Sequence, residues 1–241
     1  MSDHQLAYDL AVSAGELLLE LRTTGLTGRD LKDAGDAQAH VHLMAELARR
    51  APDDGVLSEE GIADPARLVK ERVWIVDPLD GTREYSEIPR DDWAVHVALC
   101  INGVASIGAV ALPARGLTLG TGFPLPSLGP APERPRLAVS RTRPAPHTAA
   151  LVERLDASLL PMGSAGAKAM AVVLGEVEIY AHSGGMYEWD SAAPVAVAAA
   201  AGLHVSRLNG SPLVYNREDP YLPDLLICRP EYADTVLEVC A

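Results

Sequence analysis

The sequence predicts a mixed α/β fold in which helices and sheets stack in layers. Three observations carry that expectation. Apolar strand-like runs alternate with amphipathic helical segments along the 241 residues. Two neighbouring strands, 93–99 and 105–112, meet across Asn102-Gly103, a hairpin signature foreign to a purely parallel wound sheet. A Pro- and Gly-rich stretch, FPLPSLGPAPERP at 123–135, separates a first half (1–125) from a second (136–241), which together make one compact unit.

The elements follow in order. Ser2 or Asp3 can cap a first helix that sets Leu6, Leu10, Ala14, Leu17 and Leu21 on one face and ends at 25–28, Gly-Leu-Thr-Gly. A second helix is expected from Asp36 to before Pro52, with Val41, Met44, Ala45 and Ala48 inward. VLSEE (56–60) and VWIVD (73–77) read as strands ending in carboxylates, and Thr82 opens a helix after the second. Beyond the hairpin come a strand at 136–140, helices near 147–157 and 165–174, and a strand at 178–182. A helix at 191–201, strands near 204–208 and 225–229 and a last helix from 230 complete the chain.

Composition limits what this fold can do. Forty-eight per cent hydrophobic residues with 22% charged ones describe a globular chain, and a single Phe leaves its core to Ala, Val and Leu. The formal net charge of −13, without a basic run, argues against a nucleic-acid partner, which needs cations to displace counterions. Three cysteines, Cys100, Cys228 and Cys240, lack CxxC spacing and fit reduced thiols in a cytoplasm. MSDHQLAYDL is unlike a signal peptide, and the near-apolar run Ala192 to Leu203 is too short to span a bilayer, so no membrane partner is expected.

The chemistry concentrates in WIVDPLDGT (74–82). Asp77 and Asp80 close a buried strand, Pro78 removes a backbone donor, and Gly81 lets the chain approach a ligand. A helix opening at Thr82 offers amides to a phosphate, but two nearby carboxylates repel it unless divalent cations lie between. Asp-Pro and Asp-Gly alone are turn punctuation, Glu59-Glu60 alone a solvated strand end, and Asp190 before an alanine-rich helix alone an N-cap. His40 and His42, two apart on a helix, cannot share a face, and His96 falls within a strand. With no GxSxG, a serine hydrolase is not expected either.

LSEE, WIVDPLDGTREYS, GSAGAKAMAVVLGEVEIYAH and WDSAAPVAVAAAAG together resemble the inositol monophosphatase superfamily of magnesium-dependent, lithium-sensitive phosphatases, over most of the chain. The resemblance implies an αβαβα sandwich with a metal cleft between its halves. It also implies a homodimer as an allowed assembly, since such proteins often pair. By the same resemblance, two or three Mg²⁺ are held by Glu59, Asp77, the Leu79 carbonyl, Asp80 and Asp190, with Glu60 one residue of slippage away. The family activates water with the threonine of DGT bonded to an aspartate of an early helix, which implies Thr82 and Asp36. The family's usual Ser-Pro-Val-Thr stretch is missing, so Asp33 stays open as the partner and a helix-cap role stays open for Asp36.

Substrate is expected against Glu59, Asp80, Gly81, Thr82, Arg83, Ser164, Lys168 and Asp190. GSAGAKAM, with Lys168, and the tail SPLVYNREDPYLPDLLICR are similar to the CysQ-type branch, the 3′(2′),5′-bisphosphate nucleotidases. Lys168 is then a partner for a second phosphate, or else a solvated helix lysine. Tyr187, Trp189 and Tyr215 are candidates to stack on adenine, or packing residues. The implied function is Mg²⁺-dependent removal of the 3′-phosphate of 3′-phosphoadenosine 5′-phosphate, with 3′-phosphoadenylyl sulfate as a further substrate, in cytoplasmic sulfur assimilation. The alternatives are an inositol or fructose-bisphosphate phosphatase, and a non-catalytic metal- and phosphate-binding module.

Overall fold

The computed structural model describes residues 1–240. Helix α1 (Asp3–Leu21) starts where expected: the Ser2 side chain accepts a hydrogen bond from the Gln5 amide at 3.2 Å. Helix α2 (Gly28–Arg50) corrects the sequence reading, because it begins well before Asp36 and places that residue in mid-helix. Its inward face is Leu31, Gly35, Ala39, Leu43 and Leu47, a strict four-residue spacing, while Val41, expected inward, is 66% exposed. The larger leucines win the core side, and Gly35 decides how close the helix comes. A Cβ there would lie 2.8 Å from Tyr85 Cε1 and 2.9 Å from Leu79 Cδ2, so α2 packs directly on the DPLDGT segment.

The first sheet has the order β1-β2-β3-β4-β5: β1 (Gly55–Ser58), β2 (Arg72–Asp80), β3 (Ala94–Ile101), β4 (Val104–Leu112) and β5 (Leu117–Gly120). Only the β1–β2 pair is parallel. Asn102 (φ 50°) and Gly103 (φ 78°) make the tight turn between β3 and β4. The second sheet runs β7-β6-β8-β10-β9, from β6 (Arg136–Ser140), β7 (Ser158–Met162), β8 (Ile179–Tyr187), β9 (His204–Ser206) and β10 (Tyr221–Cys228). Sequence patterning missed β5 and β7. The first has four residues, and the second is an exposed edge strand containing a proline, without an alternating apolar face to reveal it.

Five layers result. Helices α1 and α2 share a buried cluster with one face of the first sheet. Between the sheets lie α5 (Ala165–Val173) and α6 (Glu188–Ala200), whose small apolar residues join both sheets in the largest cluster. Outside the second sheet, α4 (Thr148–Leu155) and α7 (Pro230–Cys240) bury Leu151, Tyr232, Ala233 and Val236 against it. The αβαβα layering expected from the sequence is the layering found. A five-residue helix, α3 (Thr82–Ser86), follows β2 directly.

Candidate metal centre

In a regular strand, residues three apart point to opposite faces. Here β2 pairs Asp77 with His96 and Asp80 with Ala94, so one extra residue is accommodated at Pro78-Leu79. Proline fits such a bulge because it has no amide to leave unpaired. The bulge turns both aspartates to one side, where Asp190 joins them from the first turn of α6. One oxygen from each of the three carboxylates lies within 4.8 Å of the other two. Asp190 is not the N-cap. It is the third residue of α6, and its carboxylate accepts the Tyr187 amide at 2.6 Å.

Glu59 stands beside these three aspartates without joining their 4.8 Å cluster, and the four acids do not share one environment. Asp77 is 1% exposed, and its Oδ2 has no hydrogen-bond partner among the described residues. Burial, then the charges of Glu59, Asp80 and Asp190, hold its carboxyl well above the usual range. Asp190 is pushed up to about 6, by burial and by Asp80. Glu59 stands at the rim just beyond β1, raised to about 7 by partial burial and by the charges of Asp190 and Asp80. Glu60, the neighbouring candidate, is exposed as well.

Asp80 behaves in the opposite way. Burial works against its charge, but His96, the Ser164 hydroxyl and the Gly166 amide outweigh it and lower the carboxyl to about 2. Ser164 caps α5, accepting the Ala167 amide at 2.9 Å, and its hydroxyl donates to Asp80 Oδ2. The amides of Gly166 (2.6 Å) and Ala165 (3.2 Å) complete the cradle.

His96 is the residue that sequence reading passed over. It is fully buried, with Nε2 3.2 Å from Asp80 Oδ2 and Nδ1 3.0 Å from the Trp189 carbonyl. A carbonyl only accepts, so Nδ1 carries a proton and the ring ties β3 to the turn that bears Asp190. Gly166 is shaped around it, since a Cβ at that position would fall 2.0 Å from His96 Nε2. A histidine inside the apolar strand WAVHVAL was the available signal, and the register that sets it opposite Asp77 was not legible.

The structure brings Thr82 to Asp36 rather than to Asp33. Thr82 Oγ1 lies 3.4 Å from Asp36 Oδ1 and 3.3 Å from the Leu79 carbonyl, whereas Asp33 is exposed and paired with Arg29 at 3.5 Å. Burial and the charge of Glu60 raise Asp36 to about 7. Gly81, at φ 84°, makes the left-handed turn into α3, whose first amides have no intrahelical acceptor.

The remaining candidates fall in different surroundings. Arg83 is half-exposed and bound to Glu87 at 2.9 Å. Lys168 is not solvated: it is 4% exposed, and its ammonium donates to the carbonyls of Gly163 and Ser164. Tyr215 is 3% exposed, its hydroxyl 3.3 Å from that of Ser191, so it is packing rather than a free stacking surface. Tyr187, 46% exposed, already stacks on Trp189 at 4.8 Å. A cavity of about 270 Å³ lies along β8, lined by Ser140, Arg143, His182, Ser183, Gly184 and Gly185. Arg143 there has no ion-pair partner among the described residues.

A cluster of hard oxygen donors, one of them buried and orphaned, fits a hard divalent cation, which would offset the burial and the mutual repulsion that raise Asp77, Asp190 and Glu59. Comparison with known proteins places the chain among phosphatases. A protein of Mycobacterium leprae named 3′-phosphoadenosine 5′-phosphate phosphatase is 49% identical over 253 aligned positions, covering 99% of this chain and 93% of that protein. The Mycobacterium bovis protein of that name is 51% identical, over 95% of this chain and 89% of its own. The Escherichia coli 3′(2′),5′-bisphosphate nucleotidase CysQ is 33% identical, over 78% and 81%. Among solved structures, CysQ from Bacteroides thetaiotaomicron superposes with a TM-score of 0.80 at 27% identity, covering 94% of this chain and 97% of that one. The model of the inositol monophosphatase family matches residues 3–237, and the chain belongs to that family.

Proposed function

We propose that this chain is a magnesium-dependent phosphatase that hydrolyses the 3′-phosphate of 3′-phosphoadenosine 5′-phosphate. The observation that carries the reading is the joint placement of two devices. Asp77, Asp80 and Asp190 converge around an unpartnered carboxylate oxygen, and Thr82 with Asp36 borders them. Glu59, Asp77, Asp80, Asp190 and the Leu79 carbonyl would hold the ions. Bound there, magnesium supplies Lewis-acid polarisation of the phosphate and a water of lowered pKa.

The chain's own residues do the rest. Thr82 Oγ1 orients the attacking water, and the Asp36 carboxylate, poised near neutrality, takes its proton through that hydroxyl. A bond forms between water oxygen and phosphorus, and the bond from phosphorus to the 3′-oxygen breaks. The ribose 3′-oxygen takes a proton from solvent as Asp36 releases its own to solvent, giving inorganic phosphate and adenosine 5′-phosphate. Asp80 stays ionised in its cradle of amides throughout, a fixed negative wall for the ions. We assign the second phosphate to the exposed Arg143 in the cavity beside β8. Lys168 instead holds the turn that carries Ser164.

No helix of the described residues is long and apolar enough to cross a membrane, and the free, buried Cys100 and Cys228 suit a reducing cytoplasm, where we place the activity. Phosphate release from 3′-phosphoadenosine 5′-phosphate, inositol 1-phosphate and fructose 1,6-bisphosphate, each with Mg²⁺, tests the reading. The highest kcat/KM is expected on the nucleotide. A higher value on either sugar phosphate overturns the substrate, and tight binding without turnover on all three overturns catalysis.

A further inference from the structure

The tail motif PLVYN takes no part in the chemistry above, yet it is built into the protein with unusual care. Asn216 sits in the left-handed region (φ 59°), and that turn aims the amides of Asn216 and Arg217 at one carboxylate. They bind the two oxygens of Glu188 at 2.7 and 2.9 Å. Glu188 is 1% exposed and opens α6, two residues before Asp190.

On its other side the same segment grips Arg67, which is 3% exposed and lies in a 3-10 turn (Pro65–Val69) downstream of Glu59. Arg67 Nη1 donates to Asn216 Oδ1 at 2.6 Å and Nη2 to the Arg217 carbonyl at 2.8 Å. Asn216 Nδ2 returns a bond to the Arg67 carbonyl at 3.0 Å. A continuous chain of polar contacts thus runs from the loop that carries Glu59 to the helix turn that carries Asp190. The first sheet holds each end, Glu59 through its amide on the Val76 carbonyl at 3.3 Å and the Asp190 turn through His96 on the Trp189 carbonyl, and the PLVYN segment joins the two ends to each other.

We propose that Arg67, Asn216 and Glu188 form a latch that sets the spacing of Glu59 and Asp190, and so act as positioning residues for the divalent cation. The inference rests on the reading of the acidic cluster as a metal centre. Fixed outer contacts of this kind change metal affinity by about 10- to 100-fold when removed.

The test compares Asn216→Gly, which keeps the left-handed turn but loses the side chain, with Arg67→Met and the double variant. Val236→Ala, a truncation in the outer cluster under α7, serves as a control for general destabilisation. Mg²⁺ binding is measured by calorimetry without substrate, and kcat at saturating Mg²⁺ is measured separately. Each single variant is expected to weaken Mg²⁺ about tenfold, the double no more than the weaker single, with kcat near wild type and the control unchanged in affinity. Unchanged Mg²⁺ affinity in the single variants, or full additivity in the double, overturns the latch. Wild-type protein that binds no Mg²⁺ has a different signature and overturns the metal-centre reading itself.

Discussion

The two aspartates of DPLDGT invite the same substitution with opposite consequences. Asp80→Asn removes a carboxylate that the fold stabilises, because Oδ2 faces the Gly166 amide, the Ser164 hydroxyl and His96 while Oδ1 takes the Ala165 amide. An asparagine must turn its NH₂ group toward one of these donors. The lowering of Asp80 from 3.8 to about 2 sets the order of magnitude of the preference for charge. At about 1.4 kcal/mol per pH unit it corresponds to roughly 2–3 kcal/mol. For a chain of this size each kcal/mol moves Tm by about 2–4 °C, so a fall of roughly 5–10 °C is expected in the metal-free protein at pH 8.

Asp77→Asn acts the other way. The folded-state carboxyl of Asp77 lies above its unfolded value, so its contribution is present at low pH and lost as pH rises. An amide removes that loss, and Tm at pH 8 in EDTA is expected to match or exceed wild type. Both variants are expected to lose Mg²⁺ binding and turnover. Thermal unfolding in EDTA at pH 8, followed by Mg²⁺ calorimetry, separates the two effects. Equal destabilisation by both substitutions, or an Asp80→Asn protein as stable as wild type, would refute the assignment of one strained and one cradled carboxylate.

Three further outcomes are expected. Because Glu59 (about 7) and Asp190 (about 6) have raised folded-state values, their stabilising protonation is lost as pH rises through that window, so added Mg²⁺ should increase Tm more at pH 8 than at pH 5.5; equal increments contradict the shared site. Asp36→Asn should lower kcat by roughly 10²–10⁴-fold while Mg²⁺ affinity, read by calorimetry, changes little, and Asp33→Asn should leave both unchanged. Arg143→Ala should raise KM for the nucleotide bisphosphate at least about tenfold, as expected for a lost charge-assisted contact, with little effect on a monophosphate substrate; equal effects on the two place Arg143 outside the second-phosphate contact.

What the sequence determined by itself was local. A proline without an amide, a glycine and a threonine opening a short helix are properties of neighbouring residues, so the helix start at Thr82 was legible in DPLDGT, while the bulge that carries β2 on to Asp80 was not. The layered fold was legible for a similar reason, since apolar periodicity and the Asn102-Gly103 turn record which faces must be buried. Tertiary structure decided everything that depends on how close two elements come. Gly35 lets α2 press on β2, and that approach, rather than any cap, brings Asp36 to Thr82. Strand register sets His96 opposite Asp77, and packing of α5 against β3 turns it onto Asp80. Lys168, open in the sequence between a second-phosphate partner and a solvated lysine, is buried over the Tyr180 ring with its ammonium on the carbonyls of Gly163 and Ser164. A side chain's partner across the core depends on register and interlayer distance, and neither is written in the periodicity of a single segment.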